Sequence, residues 1–164
     1  MSTKYTFACK RCRYSIGMSM CDGYESPWAY RKIAETAKSG KLGEDIRQFL
    51  KDHPEGRLDT ETVLLQCTEC HCLKTAPALS MFLPKEGTVR SRRDFAVPQE
   101  LRDNYRLYEH SQYKCHKCGA PMKTIREEKL EEMVERAGFQ SPVEELPCPE
   151  CGKTLDYTGK QLWV

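Results

Sequence analysis

The sequence predicts an α+β chain of two modules, each made of two short cysteine-bearing turns with a helical insert between them. Three observations predict it. Eight of the ten cysteines fall into four Cys-x-x-Cys pairs: Cys9/Cys12, Cys67/Cys70, Cys115/Cys118 and Cys148/Cys151. The stretches between the pairs show short runs of helical periodicity. The apolar inventory is thin, with Ile, Leu, Val and Phe together numbering 29 of 164 residues. A chain this poor in large aliphatic residues needs covalent or metal staples to hold a fold.

The elements follow in order. A helix begins at Ser26-Pro27, where Ser caps the N-terminus and Pro suits the first helical position. It runs through Trp28 to Lys38, with Ile33 and Ala37 four apart, and Gly40 stops it. A second helix covers residues 44–52, placing Ile46, Phe49 and Leu50 on one face before His53-Pro54 ends it. Residues 62–66 read as a strand leading into Cys67, and residues 78–83 as its return strand. Residues 84–98, with Pro84, Gly87, Arg90, Arg92, Arg93 and Pro98, read as a linker or exposed loop. A third helix is expected over residues 99–110, with Leu101, Tyr105 and Tyr108 on one face. A fourth spans 126–137, where Leu130, Met133, Val134 and Ala137 align and Gly138 closes the helix. Residues 154–157 and 160–164 read as a hairpin turning at Thr158-Gly159. Trp28 and Trp163 are expected to pack into the core or cover it. The division is 1–84 for the first module, 85–98 for the basic linker and 99–164 for the second module with its leading helix.

The N-terminal segment has no apolar core of the kind that marks a secretory signal, so the expected compartment is the reducing cytoplasm. Structural disulfides are rare there, which makes metal the expected staple. Two Cys-x-x-Cys turns facing each other supply four thiolates for one tetrahedral ion, and four pairs make two such sites. Two zinc ions are the expected cofactors; iron, alone or in a cluster, takes the same ligand type. A thioredoxin-like redox pair needs a βαβ setting that the sequence does not show. Pairing by order joins Cys9 and Cys12 with Cys67 and Cys70, and Cys115 and Cys118 with Cys148 and Cys151. The intervening lengths are 54 and 29 residues. Nested and interleaved pairings use the same eight ligands; pairing by order is the expectation. Cys21, Cys72 and His71 are possible substitutes for one ligand of the first site. Cys21 and Cys72 otherwise read as packing residues, or as a third, partial metal or redox site. His53, His110 and His116 read as non-ligands.

Cys115-His-Lys-Cys118-Gly119 and Cys148-Pro-Glu-Cys151-Gly152 carry a Gly after the second Cys, where a positive φ lets backbone amides turn toward the sulfurs. The second of these resembles the commonest knuckle of the zinc-ribbon superfamily. That resemblance covers residues 115–164 apart from the helical insert, and it implies two hairpins clasping one closed zinc. The whole layout resembles small bacterial proteins with paired zinc ribbons, a likeness that carries no activity with it. Arg13 and His71 depart from the pattern, standing where the superfamily often has Gly.

No His-Glu-x-x-His, phosphate-binding Gly-rich loop, Gly-x-Ser-x-Gly or His-x-Glu deaminase signature is present. Four complete cysteine pairs argue for closed sites, so no catalytic residue is assigned and the chain is expected to be non-enzymatic. The formal net charge of +2 falls to about −2 once two Zn²⁺ are set against eight thiolates, which is not a general nucleic-acid binder's surface. Its distribution is uneven. Lys4, Lys10, Arg11, Arg13, Arg31 and Lys32 enrich the first 32 residues, Arg90, Arg92 and Arg93 the central loop, while residues 124–150 are acidic. The expected role is a protein-interaction module or adaptor, with another protein as partner. The alternative is nucleic-acid binding through Arg11, Arg13, Arg90, Arg92 and Arg93. The longest apolar run falls far short of the ~18 residues a membrane helix needs, so no membrane is expected, and no small-molecule substrate is implied.

Overall fold

The computed structural model describes residues 2–21, 27–89 and 93–163. Among them are four helices and eleven strands, and every strand pairing recorded is antiparallel. The chain divides into two compact units, and neither is continuous in sequence. The first comprises Met1–Cys21, Thr62–Ala76 and Gln112–Val164; the second comprises Asp22–Glu61 and Pro77–Ser111. The first insert, at 22–61, therefore belongs to a different unit from the cysteine turns that flank it, whereas the second insert lies in the same unit as its flanking turns. Most of the residues up to 111 that lie outside the knuckle hairpins fold together as one unit.

The first unit is built from four hairpins. Strands β1 (Ser2–Ala8) and β2 (Ser15–Cys21) flank the 9–12 turn, and β4 (Thr62–Cys67) and β5 (Leu73–Pro77) flank the 67–70 turn. Strands β8 (Tyr113–Lys114) and β9 (Pro121–Ile125) flank the 115–118 turn; β10 (Pro142–Pro147) and β11 (Thr154–Trp163) flank the 148–151 turn. The hairpins join edge to edge into two four-stranded sheets, ordered β10-β11-β1-β2 and β5-β4-β9-β8. Both sheets follow one plan: the first strand of the earlier hairpin pairs with the second strand of the later one.

Alternation builds the core of this unit. In β1, Thr3, Tyr5 and Phe7 are buried while their neighbours are half-exposed, the period-2 pattern of a strand with one covered face. Tyr5, Phe7, Met18 and Met20 pack with Leu64, Ile125, Val143, Leu146 and Leu155. Helix α4 (Glu127–Ala137) contributes Leu130, Met133 and Val134 to the same core. Its C-terminus is closed by Gly138 at φ 87°, whose amide donates to the Val134 carbonyl. Strand β11 runs on through Gly159 instead of turning there. A bulge opposite Thr6 and Phe7 absorbs one extra residue, Thr158, so the expected C-terminal hairpin is one long strand paired with β1.

The second unit holds α1 (Pro27–Lys38), α2 (Glu44–Asp52) and α3 (Pro98–Asn104), with β3 (Arg57–Leu58), β6 (Met81–Pro84) and β7 (Tyr105–Glu109) in the sheet order β3-β6-β7. The first two helices end as the sequence predicts. The third does not continue to residue 110. Tyr105 onwards is extended and pairs with β6, so Tyr105 and Tyr108 belong to a strand. The expected return strand at 78–83 is likewise divided. Its ribbon role passes to β5, and Met81–Pro84 belongs to the other sheet. The N-terminus of α3 is held by the Glu100 carboxylate, which accepts the Val97 amide at 3.1 Å. Trp28 and Trp163 are 69% and 56% exposed, so neither packs as expected.

Candidate metal centres

The four Cys-x-x-Cys turns share one backbone geometry. In each, the amide of the first Cys donates to the carbonyl five residues on: Cys9 to Tyr14, Cys67 to Cys72, Cys115 to Ala120 and Cys148 to Lys153, at 2.5 to 2.9 Å. The residue after each second Cys has a positive φ. Gly119 and Gly152 stand at 75° and 73°, and Arg13 and His71 adopt the same region at 63° and 60°. The departure from Gly at those two positions leaves the turn unchanged and places two side-chain-bearing residues in a region that costs them energy.

The structure brings the eight paired cysteines into two quartets, Cys9/Cys12/Cys148/Cys151 and Cys67/Cys70/Cys115/Cys118, with each quartet's sulfurs within 4.8 Å of one another. This is the nested pairing, and pairing by order is corrected. Sheet pairing is the physical cause. The register from Ser2↔Trp163 to Ala8↔Asp156 carries the 9–12 turn to the 148–151 turn. The register from Leu64↔Ile125 to Cys67↔Met122 carries the 67–70 turn to the 115–118 turn. Thr68 reinforces the second junction, its hydroxyl donating to the Pro121 carbonyl at 3.0 Å.

Distances within the quartets suit a tetrahedral ion. Cys9 and Cys151 sulfurs are 3.5 Å apart, Cys12 and Cys148 3.5 Å, Cys67 and Cys118 3.4 Å, and Cys70 and Cys115 3.5 Å. A four-thiolate tetrahedron with bonds of about 2.3 Å has edges of about 3.8 Å. Sulfurs at these separations are well beyond disulfide length, and all ten cysteines are free.

Backbone amides are aimed at the first sulfur of each knuckle in the second quartet. Glu69 and Cys70 donate to Cys67 Sγ, and Lys117 to Cys115 Sγ, each at 3.4 Å. Hydrogen bonds of this kind favour the thiolate. The Cys118 amide and then that of Lys117 hold Cys115 down at about 6, against burial. The Cys12 amide does the same for Cys9, at about 7. Their partners move oppositely. Cys12 accepts the Tyr14 amide, yet burial and the crowding thiols of Cys148, Cys9 and Cys151 push it up to about 12. Cys70 accepts the Cys72 amide, and burial with the thiols of Cys115, Cys67 and Cys118 takes it to about 12 as well. Four sulfurs this close cannot all ionise alone; a bound cation supplies the charge that lets them. The donor set therefore fits a metal ion at both places.

The remaining sequence candidates divide. Cys21 joins neither quartet; its Sγ lies 2.9 Å from Thr62 Oγ1. Thus the two residues between which the chain leaves and re-enters the first unit are tied together. His71 serves the turn and is in neither quartet. His53 packs with Phe49 and Tyr108 in a cluster of three mutually tilted rings, and His110 Nδ1 lies 3.3 Å from Ser80 Oγ. Cys72 is buried and forms a further group with Cys115 and His116. Arg11 and Arg13 are exposed on the first knuckle. Arg93 is exposed, and its carbonyl accepts Arg57 Nη2. Arg90 and Arg92 lie outside the described residues. No helix is long and apolar enough to cross a membrane among the described residues. Comparison with protein-family models, curated proteins and solved structures finds no match for this chain.

Proposed function

We propose that this is a non-catalytic structural-zinc protein whose two four-cysteine centres hold a rigid scaffold that acts as a protein-interaction module. The observation that carries the reading is the nested quartets. Each draws its four sulfurs from two hairpins far apart in sequence, so each ion would act as a clamp between chain segments. Four protein sulfurs fill a tetrahedron and leave no position for water or substrate. Tetrahedral sulfur suits zinc and iron alike. Zinc is preferred because a clamp needs no change of oxidation state. The end of β11 supports an interaction role, since it leaves two large apolar residues, Leu162 and Trp163, more than half exposed on alternate faces of the strand.

Native mass spectrometry of the chain isolated from its own cells, with elemental analysis, tests this reading. The expected result is two zinc ions per chain together with a protein partner in the retained complex or in crosslinks. Iron, a single ion or hydrolytic turnover by the loaded protein would overturn it.

A second reading rests on Arg11 and Arg13. Both are exposed on one knuckle, and neither is held in an ion pair among the described residues, whereas Lys10 beside them is paired with Asp156 at 2.9 Å. Two free guanidinium groups on a small turn suit phosphate contacts. Nucleic-acid affinity that falls with salt, with a slope reduced by about two on replacing both arginines, would favour this reading.

A further inference from the structure

The Cys67/Cys70/Cys115/Cys118 quartet has two additional donors that its counterpart lacks. Cys72 stands five residues after Cys67, where the other three knuckles have Tyr14, Ala120 and Lys153. The knuckle uses only the backbone at that position, its carbonyl accepting from Cys67 and its amide facing Cys70, so its geometry does not require a thiol. His116 follows Cys115, where the equivalent positions are Lys10, Thr68 and Pro149. The Sγ of Cys72, the Sγ of Cys115 and a ring nitrogen of His116 all lie within 4.8 Å of one another. Cys72 comes from the β4–β5 hairpin, and Cys115 and His116 from the β8–β9 hairpin.

We infer that Cys72, Cys115 and His116 form a third metal site, which takes one further thiophilic divalent ion beside the second quartet and shares the Cys115 sulfur with it. The inference rests on the reading of that quartet as a metal centre. The chemistry is coherent on three counts. Two thiolates and an imidazole are a donor set for zinc-like ions, and three protein ligands leave a fourth position open. A thiolate sulfur bound to one metal keeps lone pairs that can bind a second. Four thiolates around one dication also leave a doubly negative centre, and that charge attracts a second cation. Cys72 is buried, whereas His116 is exposed and its ring is free to rotate onto an arriving ion. The first quartet has no thiol or imidazole at the equivalent positions and serves as an internal control.

The test is exchange of the full chain's metal for a spin-active cadmium isotope supplied in excess, read by native mass spectrometry and by cadmium NMR. Wild type is expected to take up three ions, the last most weakly, with two of the three resonances split by coupling through the shared sulfur. Cys72→Ser and His116→Ala are each expected to stop at two ions with the splitting lost, while Cys21→Ser still binds three. His116 is exposed, so its variant tests the site even if Cys72→Ser fails to fold. Saturation of the wild type at two ions overturns the inference and leaves the two quartet centres standing. A third ion that persists in His116→Ala also overturns it. Fewer than two ions in the wild type would overturn the reading of the quartets as metal centres.

Discussion

Arg13 and Gly152 occupy the same position on the two knuckles of one sulfur quartet, at φ 63° and 73°. The second quartet repeats the arrangement with His71 and Gly119 at 60° and 75°. Each centre thus joins one glycine knuckle to one strained knuckle. A Cβ at Gly152 would meet no atom within 4 Å, so substitution there tests the backbone alone. Gly152→Ala is expected to destabilise the metal-loaded protein by about 1 kcal/mol, and Arg13→Gly to stabilise it by up to about 1 kcal/mol. Urea unfolding at saturating zinc measures both. A less stable Arg13→Gly would show that the Arg13 side chain makes contacts that outweigh its strain.

The nesting of the quartets gives a test by stoichiometry. Cys9→Ser combined with Cys148→Ser places both changes in one quartet. The double variant is expected to retain one tightly bound ion, held by Cys67, Cys70, Cys115 and Cys118. Had the pairs joined in sequence order, the same two changes would damage both centres and neither ion would be held tightly. Counting ions in the purified variant separates these outcomes.

The eight clustered cysteines were legible because Cys-x-x-Cys is a local pattern whose chemistry is fixed by four residues. Their pairing was not, since it is decided by which strands join. The contact of β1 with β11 spans nearly the whole chain and has no local signature. Helices α1, α2 and α4 were legible from apolar spacing and from Pro27, Gly40 and Gly138. The third failed because Leu101, Tyr105 and Tyr108 fit a helical face, while pairing with β6 favours an extended chain beyond Asn104. Gly159 misled for a related reason. Thr-Gly suggests a turn, but here the glycine sits opposite Thr6 beside a bulge, where a Cβ would come within 3.1 Å of the Thr6 hydroxyl.

Gly56 offers a way to perturb the second unit alone. A Cβ there would lie 2.6 and 2.8 Å from ring atoms of Phe49 and 3.0 Å from the His53 carbonyl. Phe49 is buried and packed against His53 and Tyr108, so its ring has little room to yield. Gly56→Ala is expected to destabilise this unit by about 1–3 kcal/mol. Both quartets lie in the other unit, so two metal ions should remain bound. Hydrogen exchange should show faster exchange at α2 and unchanged protection at β1 and β11. Loss of an ion from this variant would mean that the metal-bearing unit depends on the insert for its own fold.

Proton release should accompany metal loading, and its sign follows from the knuckle geometry. Metal coordination requires thiolates. Amides of the turns already hold Cys9 at about 7 and Cys115 at about 6. Burial and crowding by neighbouring thiols keep Cys12 and Cys70 protonated, at about 12. At about pH 7.5 the metal-free protein therefore keeps at least one proton in each quartet, which an arriving ion must displace. The loaded state binds fewer protons than the empty one, so affinity rises with pH and the ions are lost as pH falls. Zinc-binding enthalpies measured in buffers of different ionisation enthalpy should vary linearly, with at least one proton released per ion. An enthalpy independent of buffer would mean that all four sulfurs are already ionised without a metal, which their separations of 3.4 and 3.5 Å oppose.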